Sequence, residues 1–127
     1  MHPVDDQTIE NEERLFRRIH PIHIVPDDTG GYRVSSAAFG DPQLSIDIHS
    51  TLLAAGLDET HCLRDYDAYG LVSITAKLAR EQQQIVYREP TPENAAHGIV
   101  GGKKTSAVKK AFYTNCTWVI DTRPPAK

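Results

Sequence analysis

The clearest hydrophobic pattern lies between Gln43 and His49, where every second residue is apolar. A strand places alternate residues on opposite faces of a sheet, so this segment is predicted to be a half-buried strand. The polar positions between the apolar ones are Ser45, Asp47 and His49. They are predicted to share the outward, solvent-facing side.

Shorter apolar runs predict the remaining elements. Strands are predicted over residues 70–75, 85–88, 95–100 and 117–121. Helices are predicted over 9–19 (with a strand at 15–19 as the alternative), 50–57, 76–84 and 105–114. This order is typical of an α+β fold with a mixed or antiparallel sheet and three to four short helices, and a small α/β domain is the second choice.

The length of 127 residues predicts a single domain. We assign this domain to residues 9–122, after a disordered acidic N-terminus at 1–8 and before a tail at 123–127. No apolar run is long enough to span a membrane. The N-terminus lacks the basic and apolar regions of a secretory signal, and two cysteines do not form a disulfide framework. We therefore expect a cytoplasmic protein without a membrane partner.

Charge is distributed unevenly, although the net charge is only −3. Residues 1–13 carry five acids and no lysine or arginine, whereas residues 94–120 carry four lysines and no acid. Such an asymmetry can mark an interaction patch. The alternative is two ordinary solvated surfaces.

The segment from Asn94 to Lys110 carries the sharpest chemical signal, because a double-glycine turn leads into a predicted helix. Backbone amides at a helix start and nearby lysines favour an anion. The predicted ligand-binding residues here are Gly101, Gly102, Lys103, Lys104 and Thr105. The Walker phosphate-loop pattern is not met, since Lys104 intervenes before Thr105.

A second candidate anion site follows the turn at Gly30-Gly31. Arg33 could clamp a phosphate or carboxylate with two hydrogen bonds, and Ser35 and Ser36 could add hydroxyl donors. The alternative is that Arg33 pairs with an acid of the turn and that the serines end a strand.

Three residues are candidates for acid–base catalysis. His97 lies beside the glycine turn, and Asp47 and His49 are two residues apart on the predicted outward face. An imidazole beside a carboxylate suits proton transfer. The alternatives are a half-buried histidine bonded to backbone and ordinary surface residues. No metal site is predicted, because His20 and His23 lack a second pair with ligand spacing.

Three resemblances accompany these motifs. Arg17 followed by His23 resembles a motif of helical ribonucleases. Leu15-Phe-Arg17 and Gly30-Gly-Tyr-Arg33 resemble the opening strands of ADP-ribosyltransferase-type domains, which implies Arg17 and Ser35 as contacts of NAD. The chain as a whole is similar to a family of short bacterial proteins with no established activity. The segments that carry this similarity are Arg17-Arg-Ile-His-Pro21, Ile24-Val-Pro-Asp27, Ser35-Ser-Ala-Ala-Phe39, Leu44-Ser-Ile-Asp47, Asn94-Ala-Ala-His97 and Gly102-Lys103. That resemblance implies a bacterial cytoplasmic setting.

These observations favour a binding module whose basic turn-helix segment holds a nucleotide, a nucleic acid or an acidic partner. One alternative is a toxin-like nuclease or NAD-using transferase of a bacterial conflict system, acting through His97 or His49. Another is a protein–protein adaptor, such as an immunity or accessory protein. The enzyme alternative predicts that His97, Lys103 and Arg33 converge in one pocket, or that Asp47 and His49 do. The sequence identifies no cofactor.

Overall fold

The computed structural model describes residues 2–126, which form eight strands, three α-helices and three short 3-10 helices. The strands are β1 (Arg14–Ile19), β2 (Ile24–Pro26), β3 (Tyr32–Val34), β4 (Gln43–Ile48), β5 (Gly70–Thr75), β6 (Ile85–Arg88), β7 (His97–Gly101) and β8 (Thr117–Ile120). The α-helices are α1 (His49–Ala54), α2 (Ala76–Glu81) and α3 (Ser106–Asn115). The 3-10 helices are Pro21–His23, Ser36–Phe39 and Glu59–Leu63.

Six strands form one sheet in the order β6-β7-β4-β1-β5-β8, and β2 pairs with β3 in a separate hairpin. All of these pairs are antiparallel. The predicted α+β class is therefore confirmed, in place of a small α/β domain built on parallel strands. None of the helices within residues 2–126 is long and apolar enough to cross a membrane.

The main hydrophobic core covers one face of the six-stranded sheet. Alternation along β4 directs Leu44, Ile46 and Ile48 to this face, where α2, α3 and the 3-10 helix at 36–39 pack. Phe39 and Phe112 meet edge to face there, with ring centroids 5.8 Å apart. This contact fixes α3 against the 3-10 helix, and so fixes which side of α3 remains at the surface.

A smaller cluster covers part of the opposite face, which we call the second face. Its buried members are Phe16, Leu52, Cys62, Leu71 and Ala96. Leu52 belongs to α1 and Cys62 to the 3-10 helix at 59–63, so these two elements form a partial second layer. The side of β4 that alternation predicts to be outward is thus partly covered.

The prediction of a helix over 9–19 is wrong in its second half, since residues 14–19 form the strand β1. The strand alternative at 15–19 describes it better. Leu15 and Ile19 point into the main core while Phe16 points into the second cluster. β1 pairs with both β4 and β5, and the backbone bonds of a central strand outweigh a weak local helix preference.

The acidic N-terminus, predicted to be disordered, makes specific contacts with β6. The amide of Asp6 donates to the Val86 carbonyl at 2.7 Å, and the Val86 amide donates to the Asp5 carboxylate at 2.8 Å. Asp5 also pairs with Arg80 at 3.1 Å, and Asp6 pairs with Arg88 at 3.3 Å. The acids of this segment are therefore engaged by arginines around β6.

Candidate functional site

The structure brings the Arg33 stretch against the helix of the basic segment. Arg33 of β3 and Ser36 of the neighbouring 3-10 helix face α3 across a groove of about 250 Å³. The α3 residues lining it are Ser106, Lys109, Lys110 and Tyr113. We call these six residues the basic groove. Two stretches that the sequence identified separately thus contribute to one surface feature.

Helical spacing explains why the four α3 residues share one side. Positions i, i+3, i+4 and i+7 lie on one face of a helix, and Ser106 is the first residue of α3. Val108 and Phe112 occupy the opposite face and are buried in the main core. The Thr105 hydroxyl accepts a hydrogen bond from the Val108 amide at 3.2 Å, which caps the helix start.

The Arg33 guanidinium is held in place by two contacts. It lies 4.6 Å from the centroid of the Tyr113 ring, and its Nη1 donates to the Val34 carbonyl at 2.9 Å. The nearby Asp27 carboxylate accepts hydrogen bonds from Thr29 and from the Gly31 amide rather than from Arg33. Arg33 therefore keeps donors available on an oriented guanidinium.

The basic groove has no acidic partner for its cations. Among the ion pairs formed by residues 2–126, none includes Arg33, Lys109 or Lys110. Lys109 is half-buried, and its aliphatic stem lies against Gly40. Three positive charges from two elements therefore converge without a direct ion pair, and Asp27 interacts with Arg33 only at longer range. This arrangement favours an anion between them.

The glycine turn at 101–105 binds a cation of its own. The Lys104 ammonium donates to the carbonyl oxygens of Gly102 at 2.9 Å, Val100 at 3.0 Å and Pro42 at 3.3 Å. Burial lowers the pKa of Lys104 to about 8. The amide of Gly102 is also engaged, since it donates to the Pro42 carbonyl at 2.9 Å. Carbonyl groups that converge on an ammonium present the polarity opposite to an anion nest.

The other predicted residues of the two anion sites are placed as follows. Lys103 is exposed, and its carbonyl accepts from the Gln84 amide at 3.1 Å. The Ser35 hydroxyl accepts from the Ala37 amide at 3.2 Å and thereby caps the 3-10 helix at 36–39. Of the predicted ligand-binding residues, Arg33 and Ser36 line the basic groove.

Asp47 is buried rather than outward-facing, with only 2% of its surface exposed. One carboxylate oxygen accepts from the Asn94 side-chain amide at 2.7 Å, and the other lies 3.4 Å from Arg18 Nη1. The second layer formed around Cys62 explains the difference from the sequence prediction, because it covers this end of β4. Asp47 thus ties the loop before β7 to the sheet. Arg18, which also donates to the Cys62 carbonyl at 3.5 Å, links the 3-10 helix at 59–63 to the same carboxylate.

His49 begins α1, with its ring 4.9 Å from that of Phe16. His97 bonds through both ring nitrogens: Nδ1 lies 2.8 Å from the Glu89 carbonyl and Nε2 lies 3.2 Å from the Ser45 hydroxyl. This places His97 on the second face, across the sheet from α3. His97 and the basic groove are therefore separate, and the convergence of His97 with Arg33 and Lys103 is not formed.

The residues behind the two enzyme resemblances have local partners. Arg17 lies on β1, and it donates to the carbonyls of Ala38 at 3.0 Å and Ser45 at 3.1 Å. Burial lowers the pKa of Arg17. His20 caps the 3-10 helix at 21–23 by accepting from the Ile22 amide. The Arg17-to-His23 motif is therefore on a strand and a 3-10 helix, not on the helix that the ribonuclease resemblance implies.

No metal-binding group of three or more His, Cys, Asp or Glu side chains occurs in the part of the chain that the structure describes. No protein-family model, curated protein or solved structure matches the chain. The candidate sites are accordingly assigned from their own geometry.

Sequence reasoning missed four residues of the basic groove: Ser106, Lys109, Lys110 and Tyr113. Their spacing along the predicted helix was an available signal, because it places them on one face. The sequence contained no local signal for the packing of Arg33 against that face.

Proposed function

We propose that this protein is a binding module that holds the phosphate groups of a nucleotide or a nucleic acid in the basic groove. The observation that carries the proposal is the set of three cations that form no ion pair, Arg33, Lys109 and Lys110, beside two serine hydroxyl groups. The site uses the helical part of the predicted turn-helix segment, along α3, rather than its glycine turn.

The chemistry of the lining residues suits phosphate. A guanidinium donates two parallel hydrogen bonds to phosphate oxygens, whereas lysines act as point charges. Hydroxyls of Ser36 and Ser106 supply further donors. A groove of about 250 Å³ is below the usual size of a small-molecule pocket. It suits a phosphate or diphosphate group, and the attached nucleoside would remain at the surface.

The decisive experiment measures binding of a fluorescein-labelled single-stranded oligonucleotide by anisotropy, with pyrophosphate as competitor. Lys109→Ala combined with Lys110→Ala is expected to weaken binding about tenfold or more, since removing contacts from a three-cation site lowers an electrostatic affinity strongly. Arg33→Lys keeps the charge and should weaken binding less. It should do so measurably, because the bidentate geometry is lost.

The matched control is Lys77→Ala combined with Lys103→Ala, which removes the same charge from the exposed side of α2 and from the glycine turn. This variant is expected to bind like the parent protein. A selective loss in the control pair would place the site at the turn or on α2 instead of in the basic groove. Equal loss in both pairs would show that net charge alone attracts the ligand.

Salt dependence gives a second test. With three contacts to a single strand, the logarithm of the binding constant should fall with the logarithm of salt concentration with a slope of about −2. If neither the oligonucleotide nor pyrophosphate binds the protein at low salt, the proposal is contradicted. That result would favour the alternative function as a protein–protein adaptor.

A further inference from the structure

We propose that Ser45 is a nucleophile activated by His97, with Glu89 as a positioning residue, in a second site that accepts activated acyl esters. This site lies on the second face of the sheet, across the sheet from the basic groove. It is therefore independent of the proposed phosphate binding.

Hydrogen-bond chemistry fixes the roles of the two imidazole nitrogens. The Glu89 carbonyl, 2.8 Å from Nδ1, can only accept, so Nδ1 must carry a hydrogen. In the neutral ring Nε2 is then unprotonated and accepts from the Ser45 hydroxyl at 3.2 Å. A serine O–H that donates to an imidazole nitrogen is the arrangement of an activated nucleophile and its general base.

The fold holds these three residues together through backbone pairing. Ser45 lies opposite Ile99, and Asp47 lies opposite His97, so Ser45 and His97 are diagonal neighbours on β4 and β7. Beyond the end of β6, the Glu89 amide donates to the His97 carbonyl at 2.9 Å. Glu89 and His97 are thus joined twice: the Glu89 amide donates to the His97 carbonyl, and the His97 ring donates to the Glu89 carbonyl. The imidazole is therefore anchored by both its backbone and its ring.

The Glu89 carboxylate supplies the negative charge that such a site needs. Its Oε1 lies 3.7 Å from Nδ1, close enough to stabilise the imidazolium that forms when His97 takes a proton. The His97 side chain is 17% exposed and that of Glu89 is 56% exposed. Ser45 is half-buried. The bonded groups are therefore desolvated in part while the site remains accessible to a reagent.

The inferred step is an acyl transfer that needs no oxidant or reductant. The Ser45 oxygen forms a bond to the carbonyl carbon of the ester as its proton moves to Nε2 of His97. The bond to the alcohol leaving group then breaks, and His97 returns the proton to that group. Water attacks the acyl-serine with His97 again as base, which releases the acid and restores the hydroxyl.

A fluorophosphonate probe tests the nucleophile directly in the full-length protein. Ser45 would form a P–O bond, fluoride would leave and the proton would move to His97, giving one adduct that peptide mass spectrometry locates. The expected result is a single adduct on Ser45. His97→Ala should slow labelling by about 10²-fold or more, because general-base catalysis contributes at least that much, and added imidazole should restore part of the rate.

Two controls distinguish a reactive site from a structural contact. Ser50→Ala removes an exposed serine whose hydroxyl bonds Glu13, and it should leave labelling unchanged. Glu89→Gln keeps the carbonyl contact and removes the charge, so labelling should slow in a variant whose unfolding midpoint in urea matches that of the parent protein. A purely structural glutamate would change the unfolding midpoint and leave the labelling rate of the folded protein in place.

The proposal is overturned if the parent protein gains no adduct, if the adduct lies elsewhere, or if Ser45 is labelled equally fast in folded His97→Ala. The first two outcomes require only the parent protein. The test therefore stands even if a variant does not fold. Turnover of p-nitrophenyl acetate, lost in Ser45→Ala, would extend the result from labelling to catalysis.

Discussion

Asp47 offers the sharpest test of how this fold is held together, through the substitution Asp47→Ala. The carboxylate is 2% exposed and accepts from Asn94 at 2.7 Å. A hydrogen bond to a charged group contributes about 1.5–3 kcal/mol, and an unpaired buried donor adds a further penalty. Arg18 lies farther away, at 3.4 Å, and its side chain is 22% exposed. Water can therefore replace part of that contact.

These contributions give an expected loss of about 3 kcal/mol in the free energy of unfolding. The assay is equilibrium unfolding in urea, followed by the fluorescence of Trp118, the one tryptophan in the chain. With a urea dependence of about 2 kcal/mol per molar, the unfolding midpoint should fall by about 1.5 M.

The matched control is Asp121→Ala. Asp121 pairs with Arg123 at 2.7 Å, closer than Asp47 to Arg18, but both side chains of that pair are more than a third exposed, at 43% and 38%. An exposed ion pair contributes less than about 1 kcal/mol. A loss in Asp121→Ala equal to that in Asp47→Ala would refute the argument that burial decides the magnitude. So would a loss below about 1 kcal/mol in Asp47→Ala.

Three further changes follow from the structure. Phe112→Ala empties the space between α3 and the sheet and should lower the free energy of unfolding by about 3–5 kcal/mol in the same urea titration. Hydrogen bonds from Thr8 lower the pKa of Asp6 below its ordinary value of 3.8. Asp6→Asn should therefore destabilise the protein at neutral pH, and the difference should disappear as the pH falls through the folded-state pKa, since the stabilisation is present only above it. Burial raises the pKa of Cys62, with Asp47 contributing, and raises that of Cys116 to about 11. Both thiols should react slowly with dithiobisnitrobenzoate at neutral pH, as measured by absorbance, and rapidly in urea.

Each of these expectations has a contrary outcome. A cost below about 1 kcal/mol for Phe112→Ala would mean that α3 does not depend on this ring. Asp65→Asn, at a side chain that is 83% exposed, is the control for Asp6 and should have no effect at either pH. An equal loss of stability in Asp6→Asn at neutral pH and at a pH below the folded-state pKa of Asp6 would exclude the ionised carboxylate as the cause. Immediate reaction of two thiols in the folded protein would contradict the burial of Cys62 and the partial burial of Cys116.

Local periodicity made the regular elements predictable. The alternation around Leu44 depends on neighbouring residues alone, and β4 ends at Ile48, one residue before the predicted His49. The secondary structure of the segment from Leu15 to Ile19 was harder to predict, because its apolar spacing suits one face of a helix as well as a strand with both faces covered. Pairing with β4 and β5 decided between them, and that pairing is not local.

Contacts between segments that are distant along the chain could not be predicted from the sequence. Asn94 reaches Asp47 from 47 residues away, and Arg18 from 29 residues away. Alternation correctly placed Asp47 away from the main core, but it could not show that Cys62 and its neighbours cover the second face. The basic groove has the same origin, since helical spacing gathers Lys109 and Lys110 but only the packed fold adds Arg33.

The N-terminal segment has a consequence for the association state of the protein. β6 is an edge strand, and unpaired backbone groups on such a strand can recruit another chain. At Val86 the chain occupies both groups itself, the amide with the Asp5 carboxylate and the carbonyl with the Asp6 amide. Asp5 and Asp6 thus protect this edge of the sheet from pairing with the edge of a second molecule.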